Sequence, residues 1–164
     1  LRKTQWVLEL DTNTKGSNNI AYGESSITDN TTGSYNVASG KSSLRANTTG
    51  SYNIASGYQS LDANTTGSNN IASGASSLTN NTTGSYNVAS GKPSLRANTT
   101  GSYNIASGYE SVLATTTRQY NIALGSDATL RTTTQFTKSA LVSTICCLST
   151  HHAHSTSLYI FPTT

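Results

Sequence analysis

Aliphatic residues recur along most of the chain at a spacing of 17 residues, and polar residues fill the positions between them. Seven copies of this unit run from residue 13 to residue 131, with the consensus N-T-T-G-S-Y-N-I-A-S-G-x-x-S-L-x-x. The 17 positions of the unit are called columns 1 to 17. Column 8 is always Ile or Val, column 9 is always Ala, and column 15 is mostly Leu. A fixed period without insertions indicates a repeat architecture in which each unit stacks on its neighbours.

Two glycine columns divide every unit. Columns 4 and 11 hold all 13 glycines of the chain, and glycine permits the backbone conformations that tight turns require. A strand-length segment follows each of the two columns, whereas Gly, Asn, Thr and Ser disfavour a helical repeat. The pattern therefore predicts an all-β fold, a β-solenoid of about seven 17-residue coils over residues 13–131. Residues 1–12 form a strand-like lead-in, and residues 132–164 form a non-repeat tail.

Column 7 is predicted to form a stacked ladder, and column 8 is predicted to point into the solenoid. Column 7 is always Asn, and stacked Asn side chains can form an amide ladder; its members are Asn19, Asn36, Asn53, Asn70, Asn87, Asn104 and Asn121. Column 8 is the predicted hydrophobic core, made of Ile20, Val37, Ile54, Ile71, Val88, Ile105 and Ile122. About two large aliphatic side chains per coil contribute about 1.5–3 kcal/mol each, against about 1–2 kcal/mol for ordering each backbone residue. This thin core predicts self-association.

A longer repeat is superimposed on the short one. Copy two (residues 30–46) and copy five (residues 81–97) match at 16 of 17 positions, with Pro93 in place of Ser42. Copies three and six match at 14 positions. We interpret this as duplication of a block of 51 residues, which a stack of coils tolerates because each coil contacts mainly its neighbours.

Composition excludes several functional classes. Hydrophobic residues make up 34% of the chain, charged residues 10%, and the net charge is +3. Because the basic residues are not clustered, we expect no nucleic-acid partner. No apolar run reaches about 18 residues, so we expect no direct insertion into a membrane. The acidic residues share no column and form no repeated carboxylate pair, so we predict that the chain is not an enzyme and needs no cofactor.

Three repeated polar or aromatic motifs are candidates for surface chemistry. Asn-Thr-Thr recurs as an N-glycosylation sequon at Asn30, Asn47, Asn64, Asn81 and Asn98, with a further match at Asn80; Asn and Thr are also common turn residues. Stacked Thr columns raise the possibility of ice binding, but the two Thr of each unit are adjacent and would face opposite ways in a strand. Tyr in column 6 is a candidate recognition stripe or a packing surface, formed by Tyr35, Tyr52, Tyr86, Tyr103 and Tyr120.

The tail differs abruptly from the repeats. From about Phe136 the period is lost, and Cys146 and Cys147 are followed by three His residues, His151, His152 and His154. Their spacing matches no standard zinc pattern, so we predict no metal site. We expect the tail to be disordered or to result from a shifted reading frame. Since the chain contains no Met, we also expect it to be a fragment of a longer protein.

The repeats resemble a known family of surface proteins. The segments Y-N-I-A-S-G-Y-Q-S-L-D-A-N-T-T-G (residues 52–67) and Y-N-I-A-L-G-S-D-A (residues 120–128) are similar to the head repeats of trimeric autotransporter adhesins, the YadA-like family, and to repeats of phage tail fibres. The resemblance implies a left-handed parallel β-roll, three chains side by side, and a role in attachment. It departs at column 10, which is mostly Ser where the family has an apolar residue; Leu124 restores that residue in copy seven.

The predicted function is attachment by a cell-surface adhesin head or fibre segment, outside the cell and joined to an outer membrane by an anchor elsewhere. The predicted partners are two further copies of the chain and a host or matrix ligand that the sequence does not identify. Two alternatives remain open at this stage. One is a structural spacer in a phage tail fibre or surface fibre, and the other is an ice-binding solenoid.

Overall fold

The computed structural model describes residues 15–113, 116–130 and 139–142, and these residues form a parallel β-solenoid without helices. Six three-residue strands occupy columns 8 to 10 of successive coils: β1 Ile20–Tyr22, β2 Val37–Ser39, β3 Ile54–Ser56, β4 Ile71–Ser73, β5 Val88–Ser90 and β6 Ile105–Ser107. The remaining strands are β7 Val112–Leu113, β8 Asn121–Leu124, β9 Thr129–Leu130 and β10 Ser139–Val142. In the described part of the chain, no helix is long and apolar enough to cross a membrane.

Strand register follows the sequence period. Ile20 pairs with Val37, Val37 pairs with Ile54, and the same one-unit step continues to the pairing of Ile105 with Ile122. Strands β1 to β6, β8 and β10 form one sheet in that order, and β7 pairs with β9 in a second, two-stranded sheet. Because equivalent residues pair throughout, each sequence repeat is one turn of the solenoid, as predicted.

The non-repeat tail contributes a strand. The backbone of Ser139–Val142 pairs in parallel with Asn121–Leu124 at the end of the large sheet. The expectation of a structureless tail therefore does not hold for these four residues, since an exposed strand edge can accept any segment that becomes extended beside it. The Cys and His residues of the tail lie outside the described residues, as does the lead-in at residues 1–12.

Backbone hydrogen bonds join the coils around most of their circumference. In copy two, Val37 N–H donates to Asn53 O of the next coil at 2.8 Å, and Leu44 N–H donates to Ser60 O at 3.0 Å. In the opposite direction, Gly40 N–H donates to Tyr22 O of the preceding coil at 2.7 Å. The column 8 strand, the column 11 corner and the column 15 segment therefore all contribute to the inter-coil ladder, which satisfies polar groups that the narrow interior would otherwise leave unpaired. The second predicted strand-length segment, columns 12 to 17, is a turn in copies one to five rather than a strand.

The interior of the solenoid is narrower than the sequence predicts. Its apolar part consists of column 9 alanines and column 15 Leu or Ile, such as Ala55 and Leu61, which are fully buried. Buried Asn and Ser fill the rest of the interior. The prediction that column 8 forms the core is wrong for the single chain: Ile54 and Ile71 are exposed, and the side chains of Val37 and Val88 are half-buried. Adjacent residues of a strand face opposite ways, so the inward alanine of column 9 turns column 8 outward.

The two glycine columns are required for different reasons. Gly57, in column 11, has φ of +132°, a conformation that residues with a side chain rarely adopt, and a Cβ there would lie 2.7 Å from the carbonyl carbon of Gly74. Gly50, in column 4, lacks a positive φ, but a Cβ would collide with the carbonyl oxygen of Gly67 and with the side chain of Asn47. Both columns bring the backbones of successive coils too close for a side chain, but only column 11 has the positive φ typical of a glycine corner.

Candidate interaction face

An aliphatic row crosses the outer side of the large sheet. Column 8 points outward in every strand from β1 to β6, with column 9 buried beside it. Within β1 to β6, the exposure of its Ile residues ranges from 57% at Ile20 to 39% at Ile105, and Ile122 in β8 is half-buried. The in-register pairing places these residues directly above one another, so they form a continuous apolar row along the solenoid. An exposed row of this kind on a polar protein indicates an interaction surface.

The Tyr stripe runs beside this row, separated from it along the chain by the buried column 7. All five of its tyrosines are about half exposed. The rings of Tyr35 and Tyr52 stack with centroids 4.9 Å apart and planes 6° from parallel. Tyr103 stacks in the same way on Tyr86 and on Tyr120, again with centroid separations of 4.9 Å. Asn69 occupies column 6 between the two groups, so the stripe consists of a pair and a triplet of stacked rings.

The tyrosines of the stripe adopt an unfavourable backbone conformation. Tyr35 and Tyr52 have φ of 60°, in the left-handed region, and the other stripe tyrosines have φ of 58° to 59°. That region costs most side chains about 1–2 kcal/mol, whereas Asn tolerates it. Asn18 and Asn69 occupy the same column with φ of 59°. The turn therefore has no need for an aromatic residue, and the choice of Tyr points to a role for the ring itself.

Behind this face, column 7 forms the predicted Asn ladder. Asn53 Nδ2 donates to Asn36 Oδ1 of the preceding coil at 3.1 Å, and Asn53 N–H donates to the same oxygen at 2.9 Å. The same Nδ2 also donates to Gly67 O, in the following coil, at 2.9 Å. The whole column from Asn36 onward is buried. The ladder is thus internal scaffolding that holds the Tyr and aliphatic columns in register.

A second Asn ladder lies in column 1, at the first residue of the Asn-Thr-Thr motif that is typical of turns and of N-glycosylation sequons. Asn47 Nδ2 donates to Asn30 Oδ1 at 2.8 Å and to Gly50 O at 2.9 Å, and both Asn side chains are fully buried. Asn64, Asn81 and Asn98 repeat the arrangement. A glycan would replace a hydrogen of this buried amide, so the folded geometry favours the turn interpretation. Asn80 is different, because its side chain is exposed.

The Thr columns do not form a two-column hydroxyl array. In column 2, Thr48 Oγ1 donates to Thr65 O of the next coil at 3.0 Å, and Thr65 and Thr82 repeat this bond. These hydroxyls are engaged along the solenoid itself. Among the described residues, only column 3 presents Thr side chains that are exposed throughout, for example Thr49 and Thr66. The geometry therefore gives the ice-binding hypothesis no added support.

Charged side chains pair between coils on the surface away from the strands. Lys41 Nζ lies 3.0 Å from Glu24 Oε1, and Arg45 Nε lies 2.9 Å from Asp62 Oδ1. Asp62 is the more enclosed partner, with its side chain 11% exposed. Its hydrogen bond and its negative charge raise the pKa of Arg45 above the usual range. These pairs tie neighbouring coils together, and in the described residues no group of acidic, His or Cys side chains could hold a metal ion.

The fold and the face together define a parallel β-solenoid with a repetitive outer surface. We found no protein-family model that matches the chain, and no curated protein or solved structure that matches it.

Proposed function

We propose that this chain is a non-catalytic segment of a cell-surface attachment fibre, in which three copies pack side by side through the column 8 row. The observation that carries the proposal is the exposed, in-register line of Ile and Val along the sheet. The number three, the left-handed winding and the role in attachment come from the resemblance to trimeric autotransporter heads.

The energetics favour burial of this row against other chains. Fully burying an Ile or Val side chain contributes about 1.5–3 kcal/mol, and the row offers one such residue in every coil. Among the described residues, the apolar part of the interior consists of Ala and, in copies one to five, one larger aliphatic residue per coil. Contact along the row would therefore add apolar burial in proportion to the number of coils, which is the arrangement expected of an elongated assembly.

The Tyr stripe is the proposed contact surface for a ligand. Tyrosine offers a rigid ring with a polar end and loses little conformational entropy on binding. Its half-exposed rings repeat along the solenoid, and the backbone strain at column 6 indicates that the rings are present for a purpose other than the turn. A host or matrix macromolecule that contacts several coils would engage many weak copies of one site.

Association can be tested with one matched pair of variants. In Ile71→Asp, a charge is placed in the middle of the row; in Thr66→Asp, the same charge is placed on an exposed side chain of column 3 in the same coil. Sedimentation equilibrium should give a trimer for the wild type and for Thr66→Asp, and a folded monomer for Ile71→Asp. A wild-type chain that stays folded and monomeric at micromolar concentration would overturn the assembly.

Attachment needs a separate measurement. Beads coated with the chain should be retained under flow on a layer of host extracellular matrix, and changing the five stripe tyrosines to Asn should reduce retention while leaving the trimer intact. Asn is the matched replacement because column 6 already contains it at two positions. A trimer whose beads are retained no better than uncoated beads would instead favour the structural spacer.

A further inference from the structure

The two stacked Tyr groups have a chemical consequence that does not depend on attachment. The stacked tyrosines share one column with nearly equal φ, and their rings are parallel with centroids 4.9 Å apart, so equivalent ring atoms of neighbouring tyrosines lie close to one another. The carbons next to each phenolic oxygen, where a tyrosyl radical carries much of its unpaired electron, are thus neighbours in the folded chain. The rings are also half exposed, so an oxidant in solution can reach them.

Two of the other exposed tyrosines of the repeats provide an internal contrast. Tyr58 and Tyr109 lie in column 12, where the equivalent residues of the coils on either side are not aromatic. Lys41 and Ala75 flank Tyr58, and Lys92 and Ser126 flank Tyr109. These two tyrosines are as exposed as those of the stripe, at 51% and 55%. They differ from the stripe in lacking a stacked neighbour, so exposure and stacking can be separated within one molecule.

We propose that the Tyr stripe is a site of oxidative cross-linking, at which stacked neighbours are joined as dityrosine. Each of two stacked tyrosines loses one electron and its phenolic proton to become a neutral radical. The radicals couple through a new carbon–carbon bond between the ring carbons beside the oxygens. The hydrogens on those two carbons then move to the oxygens and restore both phenols. Hydrogen peroxide, used by a haem peroxidase, accepts the two electrons and two protons and becomes two molecules of water.

The positions of the links follow from the break in the stripe. Coupling joins Tyr35 to Tyr52, and joins Tyr103 to Tyr86 or to Tyr120. Tyr52 and Tyr86 lie two coils apart, about 9.6 Å at the usual strand spacing, and Asn69 lies between them. They are therefore not joined. Each link ties one coil covalently to the next, which would let an oxidant stiffen the solenoid after it has folded.

The test is to treat the folded wild-type chain with a haem peroxidase and hydrogen peroxide, and to map joined peptides by mass spectrometry. The expected products are single chains on a denaturing gel, with links only between stacked neighbours and each link lighter by two hydrogen atoms. Treatment in concentrated urea is the control, and it should abolish this selectivity. Repeating the folded reaction with a photoexcited ruthenium complex and persulfate removes any dependence on access by the enzyme.

A gain-of-function variant makes the test independent of loss of folding. Asn69→Tyr fills the gap with a residue that column 6 accepts elsewhere, and it should create new links from position 69 to Tyr52 and to Tyr86. The proposal is overturned if Tyr58 or Tyr109 is linked as often as the stripe tyrosines. It is also overturned if the links join separate chains, or if the folded chain yields no more dityrosine within the stripe than the unfolded chain does.

Discussion

Copy two and copy five are nearly the same coil placed in two different surroundings. In copy two, Arg45 is paired with Asp62 of the following coil. In copy five, the equivalent cation is Arg96, and the position of the carboxylate is occupied by Leu113. An identical residue is therefore in an ion pair in the first block and lacks that partner in the second. In a solenoid, the environment of a surface residue is determined largely by the neighbouring coils.

The interiors of the two copies show the opposite behaviour. Leu44 and Leu95 are both fully buried, and so are Ala38 and Ala89. Buried columns 9 and 15 meet aliphatic residues above and below in both copies, whereas column 16 on the surface meets Asp62 in copy two and Leu113 in copy five. The buried scaffold is therefore repeated more strictly than surface columns such as column 16, so each coil can carry different surface chemistry.

The single substitution between the two copies also has a local effect. Ser42 has φ of 56° and donates its N–H to Glu24 O of the preceding coil. Pro93 has no N–H to donate and cannot adopt a positive φ. The next residue is affected as well: Ser43 Oγ donates to Gly40 O at 2.8 Å, but the buried Ser94 Oγ has no hydrogen-bond partner.

The largest expected loss of stability comes from truncating the buried Leu of each copy, and it tests whether the two interiors are equivalent. Leu44→Ala and Leu95→Ala should each lower the free energy of unfolding by about 2–5 kcal/mol, because both leave a cavity in the same column. The two losses should be similar, because both side chains are fully buried in the same column. Urea unfolding followed by circular dichroism measures both. Markedly unequal losses would mean that the interiors differ after all.

A smaller loss of stability is expected from removing the surface Arg of column 16, which has an acidic partner in copy two but not in copy five. Arg45→Ala should cost about 1 kcal/mol, because it leaves the largely enclosed carboxylate of Asp62 without its cation, an effect reduced by the exposure of Arg45. Arg96→Ala is the matched control and should change stability by less than about 0.5 kcal/mol. The same unfolding measurement in added salt should narrow the difference between them. Equal costs at low salt would contradict the proposed dependence on neighbouring coils.

Exchanging the one residue that differs should make the two copies more alike. Pro93→Ser restores an inter-coil N–H donor and allows the Ser94 hydroxyl to bond as Ser43 does, so stability should rise by about 1 kcal/mol. The gain is limited because proline restricts the unfolded chain. Ser42→Pro, the reverse exchange in copy two, should lose a similar amount. Thermal unfolding of both variants is the measurement, and stabilisation by Ser42→Pro would show that the lost bonds matter less than the restricted chain.

The smallest effect concerns copies three and six, where Gln59 is replaced by Glu110. The Glu110 carboxylate accepts a hydrogen bond from the neutral phenol of Tyr109 and repels its ionised form, so it raises the pKa of Tyr109. Glu110→Gln should therefore lower that pKa towards the ordinary value of 10.0. Titration followed by NMR of the ring carbon bearing the oxygen measures the shift, with Tyr109→Phe to assign the signal. An unchanged midpoint would exclude the carboxylate as the cause.

Much of the fold could be predicted because the period, the glycine corners and the Asn column are all visible in the sequence. The outward orientation of column 8 also follows from the sequence. Adjacent residues of a strand such as Ile54 and Ala55 cannot both point inward, so an internal column of Ala already requires an external Ile. The usual rule that large aliphatic residues are inside favoured the wrong choice, since it does not consider how little room a 17-residue coil encloses.

Other features could not be predicted from residue preferences. Leu61 has φ of 54° and is fully buried, although the left-handed region normally favours Gly or Asn. Its conformation is imposed by hydrogen bonds to neighbouring coils, which no local pattern reveals. The column 1 ladder is an intermediate case: Asn47 precedes Gly50 by three residues, a spacing that the Asn amide spans to reach the Gly carbonyl. That spacing is a signal that could have identified the buried role.

Because successive strands pair with a one-unit register, the number of coils determines the length of the solenoid. Each coil advances the solenoid by one strand spacing, so a block of three coils adds about 14 Å of length. Recombination between the two nearly identical gene segments would insert or delete whole blocks and leave every remaining coil with an acceptable neighbour. The number of blocks thus sets the length of the solenoid, which could change in fixed increments without any change to the coil itself.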